Sequence, residues 1–135
     1  MDRLKEENIV SKDSPMINPL MATKIKIGKG NIFEGGVEIE TAGGEIVIGN
    51  YNVFENAVKI INTSATATLT IDSNNYMEAK TYIRDSSLGN YNVLKTYCMV
   101  NGSILKDLCV IAMCSTLHPG SLELARQHSG QPAVL

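Results

Sequence analysis

The residues able to do chemistry are few. The chain has two histidines, His118 and His128, both near its end. A histidine can serve as a general base or ligate a metal through a neutral ring nitrogen. A zinc held by three histidines needs one more than a single chain supplies, unless a neighbouring subunit completes the set. The plainer reading of His118 is a surface residue beside the Pro119-Gly120 turn. The three cysteines, Cys98, Cys109 and Cys114, are eleven and five residues apart, which is not the spacing of a zinc ribbon. Cys98 and Cys109 fall where a small inward residue is wanted and are expected to fill the core. Cys114 is expected to point outward, with nothing nearby to activate it.

Other classes are bounded by composition. In 135 residues the formal net charge is −2, so nothing favours nucleic acid or an acidic membrane as a partner. Apolar runs are too short for a transmembrane helix, so no membrane insertion is expected. The charged start MDRLKEEN does not read as a signal peptide. Three cysteines without a disulfide-like framework fit a reducing compartment. Asn62-Thr63-Ser64 and Asn101-Gly102-Ser103 match the glycosylation triplet, which a cytosolic chain would not use.

A repeated phrase organises the chain. IGKGNIFEGGVEI, IGNYNVFENAVKI, IDSNNYMEAKTYI and LGNYNVLKTYCMV begin at Ile27, Ile48, Ile71 and Leu88. Within each phrase the apolar anchors recur every six residues, and three hexads make one eighteen-residue turn of a triangular solenoid. A 3.6-residue helical period does not fit these steps. Short strands joined by tight turns do, with Gly and Asn at left-handed positions. Phrase starts lie 21, 23, 17 and 17 residues apart, and the changes in length belong at corners.

Stacked turns convert the sequence into columns. Three inward columns follow: Ile27, Ile48, Ile71, Leu88, Leu105; Phe33, Phe54, Met77, Leu94, Ile111; and Ile39, Ile60, Ile83, Val100, Leu117. Asn31, Asn52, Asn75 and Asn92, followed by Cys109, form a further column, expected to be an amide ladder that holds register. Counting back by six from Ile27 gives Met21, Pro15 and Ile9. Ile9 to Lys26 therefore reads as a degenerate first coil, with Pro15 and Pro19 blunting the end. Thr41 to Val47 reads as a Gly-Gly corner, and Asn62 to Thr70 as a mobile surface loop.

Two outward columns are not required for folding. Glu34, Glu55 and Glu78, followed by Lys95, make either a solvated face or an acidic strip that meets a basic partner. Ile32, Val53, Tyr76, Val93 and Val110 make an apolar stripe with Tyr51 and Tyr91 close by. These two columns are the candidate partner-binding residues, because contiguous exposed apolar surface marks interaction sites. The stripe could instead tuck under the Asn62 to Thr70 loop or the C-terminal tail.

The hexads IGKGNI, FEGGVE, IGNYNV, FENAVK, MEAKTY and IAMCST resemble the hexapeptide-repeat family. That resemblance implies an all-β, left-handed parallel β-helix of about six triangular coils over residues 9–121. Residues 1–8 would be a polar tail. Residues 122–135 would be a C-terminal tail with a short helix through Leu124, Ala125 and Arg126, capped by Ser121 and ended by Gly130 and Pro132. Enzymes of the family are acyltransferases using a histidine base, or carbonic anhydrases binding zinc through three histidines. Here the middle coils contain no histidine. The alternative to a non-enzymatic protein is such a transferase or carbonic-anhydrase-like enzyme acting as a homotrimer.

Within the family, AGGEIVIGNYNVFENAVKIIN, NNYMEAKTYI and LARQHSGQP resemble the β-helical subunits of the dynactin pointed-end complex, from about Ile9 to Pro132. The resemblance implies a non-enzymatic, cytoplasmic, cytoskeleton-associated protein without a cofactor. It would sit in a hetero-oligomer with dynactin subunit 5 and other pointed-end subunits, and help attach cargo adaptors to dynein.

Overall fold

The computed structural model describes residues 2–119 and 133–134. The expected C-terminal helix, its cap Ser121 and His128 lie outside the described residues.

Apolar anchors at six-residue steps fold into short parallel strands wound around one core. Face A contains β1 (Ile9–Val10), β4 (Ile32–Phe33), β7 (Val53–Phe54), β10 (Tyr76–Met77), β13 (Val93–Leu94), β16 (Cys109–Ile111) and β18 (Ala133–Val134). Face B contains β2 (Met16–Ile17), β5 (Glu38–Thr41), β8 (Lys59–Asn62), β11 (Tyr82–Arg84), β14 (Met99–Asn101) and β17 (Thr116–Leu117). Face C contains β3 (Ile25–Ile27), β6 (Ile46–Ile48), β9 (Leu69–Ile71), β12 (Ser87–Leu88) and β15 (Ile104–Leu105). All the strand pairs are parallel, each strand bonding to its equivalent one turn away. Among the described residues the result is a solenoid of five complete three-strand turns, with β16 and β17 opening another, rather than about six. The inward columns pair in the expected register: Phe33 with Phe54 and then Met77, and Ile39 with Ile60. The Phe33 and Phe54 rings stack with centroids 4.7 Å apart. Every anchor from Phe33 onward is buried, and each contributes about 1.5–3 kcal/mol of transfer free energy before entropy.

The first turn departs from the hexad count. Val10 pairs with Phe33 and Ile17 with Ile39, so these residues are the inward anchors, while Ile9 is 67% exposed. Extra residues between Ile17 and Ile27, including a 3-10 helix over Pro19–Lys24, break the six-residue step. Asn18 caps that helix by accepting a hydrogen bond from the Leu20 amide at 3.0 Å. The segment expected to be a polar tail contains a helix, α1 (Asp2–Glu7), whose Leu4 packs against the core.

The Asn ladder is present and has one more rung. Asn52, Asn75 and Asn92 each donate Nδ2 to the Oδ1 of the preceding Asn at 3.0 Å, and their backbone amides donate to the same oxygen. Asn8 lies below Asn31, accepting its backbone N–H at 2.8 Å and donating to Leu4 and Gly28 carbonyls. The ladder ends where the Cys109 amide donates to Asn92.

Two of the corners are columns of left-handed residues. Gly30, Tyr51, Asn74, Tyr91 and Leu108 form one, and Asp13, Gly36, Ala57, Lys80, Tyr97 and Cys114 the other, all with φ between 58° and 76°. A non-glycine residue there costs about 1–2 kcal/mol. Hydrogen bonds between turns offset this cost, such as Tyr51 N–H to Lys29 and Tyr97 N–H to Ala79. At the third corner, the Asn62 to Thr70 segment is exposed but braced. Asn62 is buried and donates to Glu45 and Ala67 carbonyls, Thr63 bonds Asp85 through both its amide and hydroxyl, and Leu69 already belongs to β9.

Candidate interaction face

Face A holds both outward columns that the sequence singles out. The pairing sets Ile32 beside Val53, Val53 beside Tyr76, Tyr76 beside Val93 and Val93 beside Val110. Ile9, paired with Ile32, extends the stripe to six rows. Tyr76 is 40% exposed and the other four expected members are half-buried. The matching outward column of face B is Met16, Glu38, Lys59, Tyr82, Met99 and Thr116, and that of face C runs Lys26, Val47, Thr70, Ser87 and Ile104. Of the three faces, A alone carries an unbroken apolar row.

Tyrosines concentrate on the same face. Of the chain's five tyrosines, Tyr51, Tyr76, Tyr91 and Tyr97 are exposed, at 55%, 40%, 59% and 54%. Tyr76 lies in the stripe, Tyr51 and Tyr91 at one bordering corner, and Tyr97 at the other. Both phenylalanines are buried and the chain has no tryptophan, so nearly all its exposed aromatic surface is here. Tyrosine brings large, rigid contact area with a polar tip, which is why interfaces are enriched in it. The repeated phrase could have revealed Tyr97, because it occupies the same corner as Gly36 and Ala57.

The acidic column has internal work. Glu55 accepts from the Tyr76 hydroxyl and, at 3.1 Å, from the Ala79 amide one turn on. Glu78 accepts from the Thr96 amide at 2.9 Å and its hydroxyl at 3.1 Å, and lies 3.7 Å from Lys95. The Asn56 amide, turned with its nitrogen toward Glu34, donates to it at 3.0 Å. Each carboxylate thus reaches one turn along the axis and braces that turn. The charges of Glu34 and Glu55 have no ion-pair partner among the described residues. The bond to Glu55, with burial and the Glu34 and Glu78 charges, pushes the Tyr76 phenol up to about 12. At the neighbouring corner, the Lys80 ammonium lies 2.7 Å from the Tyr97 hydroxyl and 4.9 Å from its ring centroid.

The cysteines and His118 are buried or exposed as their places in the repeat suggest. Cys98 and Cys109 are buried, and burial raises both thiols, Cys98 to about 11. Cys114 is exposed at the second left-handed corner. His118 is exposed just past β17, and its carbonyl accepts from the Ser103 hydroxyl at 2.9 Å. Among the described residues no group of three or more His, Cys, Asp or Glu could hold a metal ion. No helix among them is long and apolar enough to cross a membrane. A groove of about 810 Å³ lies at the first turn, and its lining includes Leu4, Val10, Asp13, Pro15, Ile17 and Pro19.

Six-residue repeats wound into three parallel sheets, with inward aliphatic columns and an Asn ladder, define the hexapeptide-repeat parallel β-helix family, and the chain belongs to it. Within that family it is similar to dynactin subunit 6 of Dictyostelium discoideum, with 33% identity over 106 residues. The match covers 78% of this chain and 54% of that protein, so the chain spans about half the length of the relative. No protein-family profile matches the sequence.

Proposed function

We propose that the chain is a non-enzymatic, dynactin-like subunit that acts by presenting face A to partners. In this reading it sits in the cytoplasm within a pointed-end type of assembly, beside a dynactin subunit 5-like β-helix and other pointed-end subunits, and helps link dynein to cargo adaptors. The observation that carries the reading is the coincidence of the unbroken apolar row on one face with all four exposed tyrosines on that face and its two bordering corners. The similarity to dynactin subunit 6 supplies the class of assembly. Glu55 and Glu78 of the acidic column reach along the axis to brace the next turn.

Affinity capture of the protein from native lysate, with mass measurement of the complex, tests this. Dynactin subunits should co-purify in a hetero-oligomer. Replacing Val53 and Val93 with Asp should release them while circular dichroism stays native. A homotrimer without cytoskeletal partners would overturn the proposal in favour of a family enzyme.

A further inference from the structure

Resting on the reading of face A as an interface, we propose that its occupant is a single amphipathic α-helix of a partner, with a basic flank on one side of its apolar row. Size points to one helix. The stripe has six rows from Ile9 to Val110. Five steps of about 4.8 Å make a track about 24 Å long, the length of about sixteen helical residues. A helix turn advances about 5.4 Å, so one apolar side chain per turn meets one row. A track about 24 Å long and one helix diameter across, roughly 10 Å, offers roughly 240 Å², far short of the roughly 800 Å² per partner that a stable dimer of globular chains buries.

Charge gives the occupant its sidedness. One edge of the apolar row is the column Glu34, Glu55, Glu78, Lys95. Among the described residues Glu34 and Glu55 have no ion-pair partner, whereas Glu78 has Lys95 at 3.7 Å and Lys80 stands at the next corner. The carboxylates without an ion pair therefore lie beside Ile32 and Val53. A helix whose basic residues flank its apolar row on that side, over the first half of the track, complements the face. The opposite edge, at Tyr51 and Tyr91, offers flat aromatic surface and hydroxyls, to which a polar uncharged flank is suited.

Two designed helical peptides of eighteen residues, one leucine row flanked by lysines and the other by glutamates, test this against the purified full chain by fluorescence anisotropy. The lysine-flanked peptide should bind about tenfold tighter at low salt, with the gap closing at high salt. Glu34→Lys with Glu55→Gln, whose amide oxygen can still accept from the Ala79 amide while its NH2 donates to the Tyr76 hydroxyl, should erase or invert the preference, with a native melting curve as control. Equal binding of the two peptides, or a preference unmoved by those substitutions, overturns the helix proposal. So does a dimer that Val53→Asp dissolves, because that assigns the face to a second copy. If the peptides fail while V53D/V93D still releases the dynactin subunits, the proposed function stands and only the helical occupant is wrong.

Discussion

Replacing Asn52 with Leu removes an amide from the middle of the ladder and keeps the branched shape, with a larger volume. Asn52 Oδ1 accepts two donors from the next turn, the Asn75 backbone N–H at 2.9 Å and Asn75 Nδ2 at 3.0 Å. Leucine accepts neither, and Asn75 is 1% exposed, so water cannot replace the lost acceptor. A stranded buried donor costs about 1–3 kcal/mol, which gives about 2–6 kcal/mol for the pair. The whole chain, at about 0.05–0.15 kcal/mol per residue, has about 7–20 kcal/mol to lose. The end rung supplies an internal comparison. Asn8 Oδ1 accepts only the Asn31 backbone N–H among the ladder bonds, so Asn8→Leu strands one donor and should cost about half as much. Urea unfolding followed by far-ultraviolet circular dichroism, with linear extrapolation, measures both. A loss below about 1 kcal/mol for Asn52→Leu, or a loss for Asn8→Leu equal to or larger than it, would refute the account of the ladder.

Two further expectations concern titration and reactivity. The Tyr76 phenol, held at about 12 against an ordinary 10, should be the last tyrosine to ionise in an absorbance titration. Because its folded value is raised, the stability from this group is complete below about pH 10 and is lost as the pH climbs toward 12. Tyr76→Phe should delete the last step, and Glu55→Gln should move it back toward 10. A highest step that survives Tyr76→Phe would contradict the assignment. A thiol reagent at mild pH should label Cys114 alone in the native protein and all three cysteines in denaturant, read by intact mass. Native labelling of Cys98 would show that its part of the core opens.

What was legible in the sequence follows from how the fold is specified. From Phe33 onward each turn repeats the same inward residues, so columns written by hand coincide with the strand register. The first turn was misplaced because counting by six assumes uninterrupted hexads, and the residues added around Pro19–Lys24 break that count. The triplet Asn8-Ile9-Val10 repeats the pattern of Asn31-Ile32-Phe33. Matching that pattern, rather than counting, would have found both the Val10 anchor and the extra rung. The stripe was readable because outward residues alternate with inward ones. The bracing by Glu55 and Glu78 was not, because it depends on how far a carboxylate reaches along the axis to an amide of the next turn. The return of the chain as β18 beside β16 left no periodic trace either, since Ala133–Val134 lies outside the repeated phrase.

The ladder has a direction. Every Asn offers its oxygen to the turn that follows it and draws on the turn that precedes it. During synthesis the amino-terminal turn emerges first, so each new asparagine meets an acceptor that already exists. Removing a turn from the carboxyl-terminal end would cost the rung before it only the carbonyl to which its Nδ2 donates, as Asn92 does to Lys106, whereas removing one from the amino-terminal end would strand both the backbone amide and an Nδ2 proton of the rung above. The same asymmetry lets such a rod lengthen by whole turns, provided each brings its own asparagine. At Cys109, which passes no amide oxygen onward, that series stops.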